Sequence, residues 1–489
     1  GSNNVAIGTS TLGANTTGTQ NVAIGSYALD ANTTAINNIG IGYSALGANT
    51  TAGENIAIGT LSLDATTTGG ANVAIGSAAL GANTTAGATV AVGYLSLQAN
   101  TTGTENTAVG AYSLDANTIG IRNSAFGHAA LSSNTTGISN VAIGPAALGA
   151  NTTGGYNIAV GLQALDANTT GGGNAAIGFA ALGANTTANW NVAVGYAALD
   201  ANTTGAGSAA IGYAALGANT TGGDNVAVGY QALGANTTAT YNVAVGTSAL
   251  SANTTGTQNV AIGRAALFAN TTANYNTALG VNAGVAVTTG HSNTLLGHTA
   301  HNNLTTGDLN ISVGYGNVPS AVDVDSEIVI GNSITGAGTN TVRIGTAGGT
   351  ATLGLDGSDT SWAAASDERL KKNVTESTAG LSFINDLRAV TFQWESKDAI
   401  ADTLPQYDAA SSDPVYGTGN THHGFIAQEV KAVIDDHSDV VDGHNIWSED
   451  PDGTQQLAPG ALVPMLVKAI QELSNKNTAL EARLAKLEG

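Results

Sequence analysis

The sequence predicts an all-β repeat solenoid, a parallel β-roll or β-helix of 17-residue coils, followed by a small α/β unit that ends in a coiled-coil helix. Three observations carry this expectation. A five-residue motif recurs every 17 residues without slippage, the composition changes abruptly after Gly345, and the last segment keeps a strict heptad pattern.

The repeat comes first. Asn-Val-Ala-Ile-Gly begins at Asn4, its equivalents begin at Asn21, Asn38, Asn55 and Asn72, and the register runs on to Asn293 and Asn310. Eighteen equal intervals of 17 residues separate Asn4 from Asn310, and Gly331 still keeps the register; Gly345 breaks it by arriving 14 residues later. Globular domains vary their loop lengths, so this regularity means that each unit stacks on the one before. Counting from the asparagine, the fifth position is glycine in all nineteen copies, Gly8 to Gly314. That suits a backbone with positive φ or a close neighbour. The fourth position is always large and apolar (Ile7, Val92, Phe126, Leu296), the third is alanine in sixteen copies, and the ninth is leucine from Leu12 to Leu267. A short strand would therefore carry Val and Ile on one side and Ala on the other. The stretch Gly/Asp-Ala-Asn-Thr-Thr-Gly after the leucine has turn composition. Two short strands and two turns per coil are expected, and nineteen steps of about 4.8 Å give a rod of roughly 90 Å.

With both strand faces apolar, the alanine face is expected to pack against sister chains, small because three backbones converge there. The architecture expected is an intimate homotrimer. The alternating Asn-x-Ala-Ile-Gly pattern resembles the head repeats of trimeric autotransporter adhesins, which are parallel β-rolls in trimers, although their unit is usually shorter. A monomeric β-helix is the alternative.

Charge narrows the function classes. The chain carries a net charge of −21, and between Asn4 and Leu309 there are nine acidic residues, two arginines (Arg122 and Arg264) and no lysine. A stalk so poor in cations cannot neutralise phosphates, which argues against nucleic acid as a partner. No apolar run approaches a membrane span, so no membrane insertion is expected. With no cysteine, neither disulfides nor thiolate chemistry is available. The Asn-Thr-Thr column reads as stacked ladders that satisfy backbone groups. A threonine face that binds ice is the sharper alternative, weakened because the two threonines are adjacent rather than alternate.

Past Gly345 the residues become those of an ordinary mixed unit. The domain division expected is a repeat stalk over 1–317, degenerate repeats and linker over 318–365, and a C-terminal domain over 366–489 with a coiled-coil tail at 462–489. Its predicted elements are a helix near Ser382–Asp386, a strand at Ala389–Glu395, a polar loop to about Asn420, and a strand leading into a helix at Ile426–Ile434. In the tail, Val463, Ile470, Asn477 and Leu484 form one column and Leu466, Leu473, Leu480 and Leu487 the other. That is a coiled-coil seam in which Asn477 fixes register at a cost in stability.

Ser366-Asp-Glu-Arg-Leu-Lys-Lys-Asn373, Gly424-Phe-Ile-Ala-Gln-Glu-Val430 and Leu462-Val-Pro-Met-Leu466 occur in series. Together they resemble the intramolecular chaperone domain of phage endosialidase tailspikes and other tail fibres. The resemblance implies a domain that trimerises the upstream fibre and then cleaves itself away through a serine–lysine pair. The motif maps these roles onto Ser366 and Lys371, with the cut between Ala365 and Ser366. It also implies a virion tail fibre, or alternatively a bacterial surface adhesin. An upstream virion attachment part and a host glycan or protein receptor are its expected partners. A plain capped helix start is the other reading of Ser366-Asp-Glu-Arg.

No cofactor is expected, and no metal: His422, His423, His437 and His444 fit no standard zinc spacing. Phosphate loops, nucleophile elbows and metalloprotease helices are missing from the sequence, so an enzyme acting on external substrates is the weakest reading. The best local departure from the repeat is Val281–Val318, where leucine drops out and His291, His298 and His301 appear.

Overall fold

The computed structural model of the chain describes residues 1–355, 363–364, 374–402, 407–416, 419–438, 440, 446–449 and 455–488. The chain divides into two compact units, Gly1–Ala365 and Ser366–Gly489.

The first unit is a parallel β-solenoid. Its coils each contribute one three-residue strand, β1 (Val5–Ile7) through β19 (Ile311–Val313), and a longer β20 (Ile328–Asn332) continues the stack. Each strand pairs with the next at an offset of one repeat, Val5 with Val22 at the start and Ile311 with Ile328 at the end. The next strand, β21 (Thr341–Thr346), pairs Val342 with Ile328, so the coil shortens where Gly345 breaks the register. Then the direction reverses: β22 (Gly349–Gly354) lies antiparallel on β21, and β23 (Ala363–Ala364) antiparallel on β22. A hairpin on the last coil covers the sheet edge that a parallel stack would leave open.

A second strand per coil does not form. Across the turn, contact between coils is made by separate hydrogen bonds, such as Leu29 N–H to Ala45 O at 3.0 Å and Ala31 N–H to Gly47 O at 3.1 Å. The reason is local. The ninth-position leucines, Leu12 to Leu267, have φ between 48° and 55°, a left-handed backbone that no strand can contain. That conformation costs a non-glycine residue about 1–2 kcal/mol. Complete burial of the side chain, as at Leu29 and Leu199, returns about 1.5–3 kcal/mol.

The expected orientation of the strand is reversed. Its alanines point into their own coil: Ala23, Ala142, Ala193 and Ala244 are fully buried within a single chain. The third position is small because the coil's interior is narrow. At Gly40, which takes the alanine position, a Cβ would lie 3.4 Å from Cγ of Leu29 and 3.1 Å from Ala45 O. The alanine face therefore cannot be a surface for sister chains. Val and Ile point outward instead, with Ile58, Ile143, Ile177, Ile211 and Ile262 standing 37–44% exposed. The fifth-position glycines are required by a close approach. At Gly195 (φ 140°) a Cβ would fall 2.4 Å from the carbonyl oxygen of Gly212 in the next coil.

Two asparagine ladders run through the interior. Asn21 donates its backbone N–H to Oδ1 of Asn4 at 2.9 Å and its side-chain amide to Ala35 O at 2.9 Å. The second ladder links Asn117 Nδ2 to Asn100 Oδ1 at 2.8 Å and Asn134 Nδ2 to Asn117 Oδ1 at 2.8 Å. Buried amides so paired are stabilising rather than costly.

The second unit is small and mixed. Helix α1 (Leu381–Asp386) is followed by β24 (Val390–Phe392), antiparallel to β25 (His422–Gly424), and then α2 (Ala427–Asp436). A hairpin of β26 (Trp447–Glu449) and β27 (Gln455–Leu457) precedes a short 3-10 turn at Pro459–Leu462 and helix α3 (Val463–Glu488). Phe383 is fully buried, among Ala379, Val430, Ile434, Leu462 and Met465.

Candidate functional site

Ala365, Ser366 and Lys371, the expected cleavage site and catalytic pair, lie outside the described residues. What the structure places is their surroundings in the chain. The described backbone resumes at Val374, and two residues later Glu376 is paired with Lys468 of α3 at 2.6 Å. The ammonium beside it holds the Glu376 carboxyl below the usual carboxylate range, and the same hydrogen bond raises Lys468. Helix α1 starts at Gly380 without a side-chain cap of its own. Its first N–H, on Leu381, donates to Oε2 of Glu472 at 3.0 Å, 91 residues away. One stretch of α3 therefore anchors both the segment following Lys371 and the helix after it. Sequence reasoning missed Glu472 and Lys468. The one available signal was an uncapped glycine before α1, which requires an acceptor from elsewhere.

A second set of contacts holds α2. Arg388 forms an ion pair with Glu429, which raises the guanidinium's pKa and lowers that of the carboxyl. His437 Nε2 meets Asp386 Oδ2 at 2.8 Å, which joins the end of α2 to the end of α1. His422 sits in an aromatic cluster, its ring 5.7 Å from Phe392 and 6.4 Å from Trp394. His444 lies outside the described residues. Among the described residues, no three His, Asp or Glu side chains converge as a metal site would require.

Helix α3 presents two faces. Leu462 just before it, and Met465 and Ala469 within it, are buried against the unit's own core. The expected seam points elsewhere: Val463 is 54% exposed, Ile470 66%, Leu480 58% and Leu487 84%. From Leu473 to Glu488 every residue is exposed. A lone helical extension of this length is marginal in water.

In the solenoid, the Val281–Val318 departure is absorbed by the stack. His291 Nδ1 accepts the backbone N–H of Asn274 at 3.0 Å, and the ring of His298 stacks on Tyr315 at 5.3 Å. His301 takes the place of the core leucine and is fully buried. The first threonine of each Asn-Thr-Thr is likewise occupied, as where Thr203 Oγ1 donates to Thr220 O at 3.0 Å. The second threonine column, as at Thr204, stays exposed. No helix among the described residues is long and apolar enough to cross a membrane.

Comparison with known proteins matches the C-terminal unit. No curated protein and no solved structure matches the chain. Residues 366–439 match the family model described as chaperone of endosialidase, and in the sequence this segment follows the parallel β-solenoid.

Proposed function

We propose that the chain is the distal part of a trimeric, phage-type tail-fibre shaft, carried on the virion. In this reading its C-terminal unit drives trimerisation and then cuts the chain between Ala365 and Ser366. The observation that carries the reading is the open seam of α3: eight heptad positions on one helix, six of them large aliphatics 42–84% exposed and a seventh, Val463, at 54%, with no partner surface for the last turns among the described residues. Three such seams closing on one another would bury them. The outward Val and Ile face of β1 to β19 offers the matching surface along the shaft. It is aliphatic apart from Phe126, polar only at small positions such as Ser124 and Thr277, and free of charge. Such a face suits a permanent interface, which is apolar at its centre.

The chemistry asked of the serine–lysine pair is simple. Lys371 takes the hydroxyl proton of Ser366, and the freed oxygen attacks the Ala365 carbonyl carbon. The amide nitrogen leaves with a proton, and water hydrolyses the resulting ester. Lysine is a base at neutral pH only when its pKa is lowered by burial or by a cation such as Lys372 or Arg369. Assembly provides a cause for that change. Glu376, five residues beyond Lys371, is tied to Lys468 on the helix whose seam would close. Cleavage would then report assembly.

The test is denaturing electrophoresis with N-terminal sequencing of wild type, Ser366→Ala and Lys371→Ala, beside native mass measurement. A fragment of roughly 13 kDa beginning at Ser366, at about 110 Da per residue, is expected from wild type alone, and trimers from all three. A cut at the same bond in Ser366→Ala would remove the assigned nucleophile. Monomeric wild type at micromolar concentration would overturn the assembly.

A further inference from the structure

The residue just before each repeat asparagine forms a column along one corner of the solenoid, and in its second half that column carries large aromatics. Tyr156, Trp190, Tyr241 and Tyr275 stand 59–73% exposed. All four hold a left-handed backbone, with φ between 60° and 63°. Bulky residues disfavour that conformation, whereas Gly, Asn and Asp adopt it readily. The same column is left-handed along the solenoid, at Gln20, Glu54, Ala88, Arg122 and Leu309 as at Asn37 and Asp224. The left-handed corner therefore belongs to the coil, and what sets its second half apart is the four exposed rings.

The surroundings are shaped to match. Trp190 leans over Gly173, where a Cβ would lie 2.6 Å from its ring carbon Cε3. On the other side the Asp224 carboxylate lies over Gly207, where a Cβ would be 2.5 Å from its Oδ1, and Gln258 stands between Tyr241 and Tyr275. Tyr156 and Trp190 are two coils apart, as are Tyr241 and Tyr275; two coils span roughly 10 Å, about the length of a disaccharide unit.

We infer that this corner is a binding track for a neutral, linear oligosaccharide lying along the shaft. Its sugar rings would pack their C–H faces on Trp190 and the tyrosines, and its hydroxyls would bond to Asp224 and Gln258. Aromatic rings with one apolar face and adjacent polar groups are what such a ligand requires. Other occupants fit less well. A polyanionic glycan would meet a stalk with nine acids and two arginines. A sister chain docked along this corner would bury Glu54, Asp224 and the exposed Glu105–Arg122 pair, which is costly. The stacked rings of Phe179, Tyr196, Tyr213 and Tyr230, at centroid spacings of 5.0–5.3 Å, turn their faces to one another and leave only edges for a sugar.

The experiment uses the full chain on a broad array of immobilised glycans that includes cellohexaose, chitohexaose and an oligomer of sialic acid. Wild type is compared with Trp190→Ala, Tyr156→Ala and, as a control on the stacked column, Tyr196→Ala. At least one neutral linear glycan should be retained by wild type. Its affinity should fall about tenfold in Trp190→Ala, less in Tyr156→Ala and not in Tyr196→Ala. Trp190, the only tryptophan before residue 355, should change its emission with the same ligand. Retention of no neutral glycan, preference for the sialic acid oligomer, or retention indifferent to Trp190→Ala overturns the proposal. Native mass and cleavage are read on the same samples. Loss of trimers in Trp190→Ala would make the corner an interface and also overturn it, whereas failed binding by a trimeric, cleaved wild type leaves the fibre reading intact.

Discussion

Asn259 donates its backbone N–H to Oδ1 of Asn242 at 2.9 Å, across one turn of the solenoid. The amide of Asn242 donates in turn to Gly256 O at 2.8 Å, so one buried side chain closes two backbone groups of the next coil. Asn242→Ala would leave both unpaired, at about 1–3 kcal/mol each, and should lower the stability of the stalk by about 3 kcal/mol. Asn242→Ser should lose about half as much. Ser208 already fills this position, and its Oγ accepts the N–H of Asn225 at 3.2 Å. Urea midpoints of the three proteins, followed by far-ultraviolet circular dichroism, check the order.

The orientation of the strand makes a second prediction. Ala193 is fully buried inside its own coil, while its neighbour Val194 faces out. Ala193→Glu should disrupt the coil itself, because a carboxylate has no partner in that interior. Combined Val194→Glu, Ile211→Glu and Val228→Glu should leave the circular dichroism spectrum intact and abolish assembly in light scattering. Equal loss of secondary structure in both would refute the assignment. Within the coil, Leu199→Ala should cost about 2–5 kcal/mol, and Asp200→Ala no more than about 0.5 kcal/mol.

His301 makes the stalk acid-sensitive at one place. Its ring nitrogens have no hydrogen-bond partner among the described residues, and burial lowers its pKa to about 4. Ser312 stands to it as Gly40 stands to Leu29, eleven residues on, and the Ser312 hydroxyl and Asn317 Oδ1 are also buried without partners. Because the folded state binds the proton less readily than the unfolded chain, stability is full above pH 6.5. It falls as the pH drops through the folded value near 4, by about 3 kcal/mol in all at 1.36 per unit. His301→Leu restores the residue found in the first sixteen coils and should flatten this dependence. Thermal melts from pH 7 to 4 measure it, and an unchanged slope would exclude His301 as its source.

Asn477 concerns the tail. It is exposed on α3 in the column of Val463, Ile470 and Leu484. Asn477→Ile should raise the melting temperature of the assembled tail and broaden its oligomer distribution, because the polar residue fixes register at a cost in stability. A sharper distribution in native mass spectra would contradict that role.

The repeat period, the glycine at its fifth position, the break at Gly345 and the heptads of α3 were all legible in the sequence. Each is a local or periodic constraint: a stack cannot slip, a close backbone admits no Cβ, and a helical face repeats every seven residues. Ser366 and Lys371, whose roles come from a resemblance alone, lie outside the described residues. The tie of Leu381 to Glu472, across 91 residues, was not legible, because no local pattern encodes which distant carboxylate caps a helix. Alternation along Val-Ala-Ile identified two faces of the strand but could not say which one looked inward. Tertiary structure decided that. The interior of a 17-residue coil has room for one leucine and small neighbours, and fitting that leucine forces it into a left-handed backbone. Alanine is thereby turned in, and the larger aliphatics are left outside to find another surface.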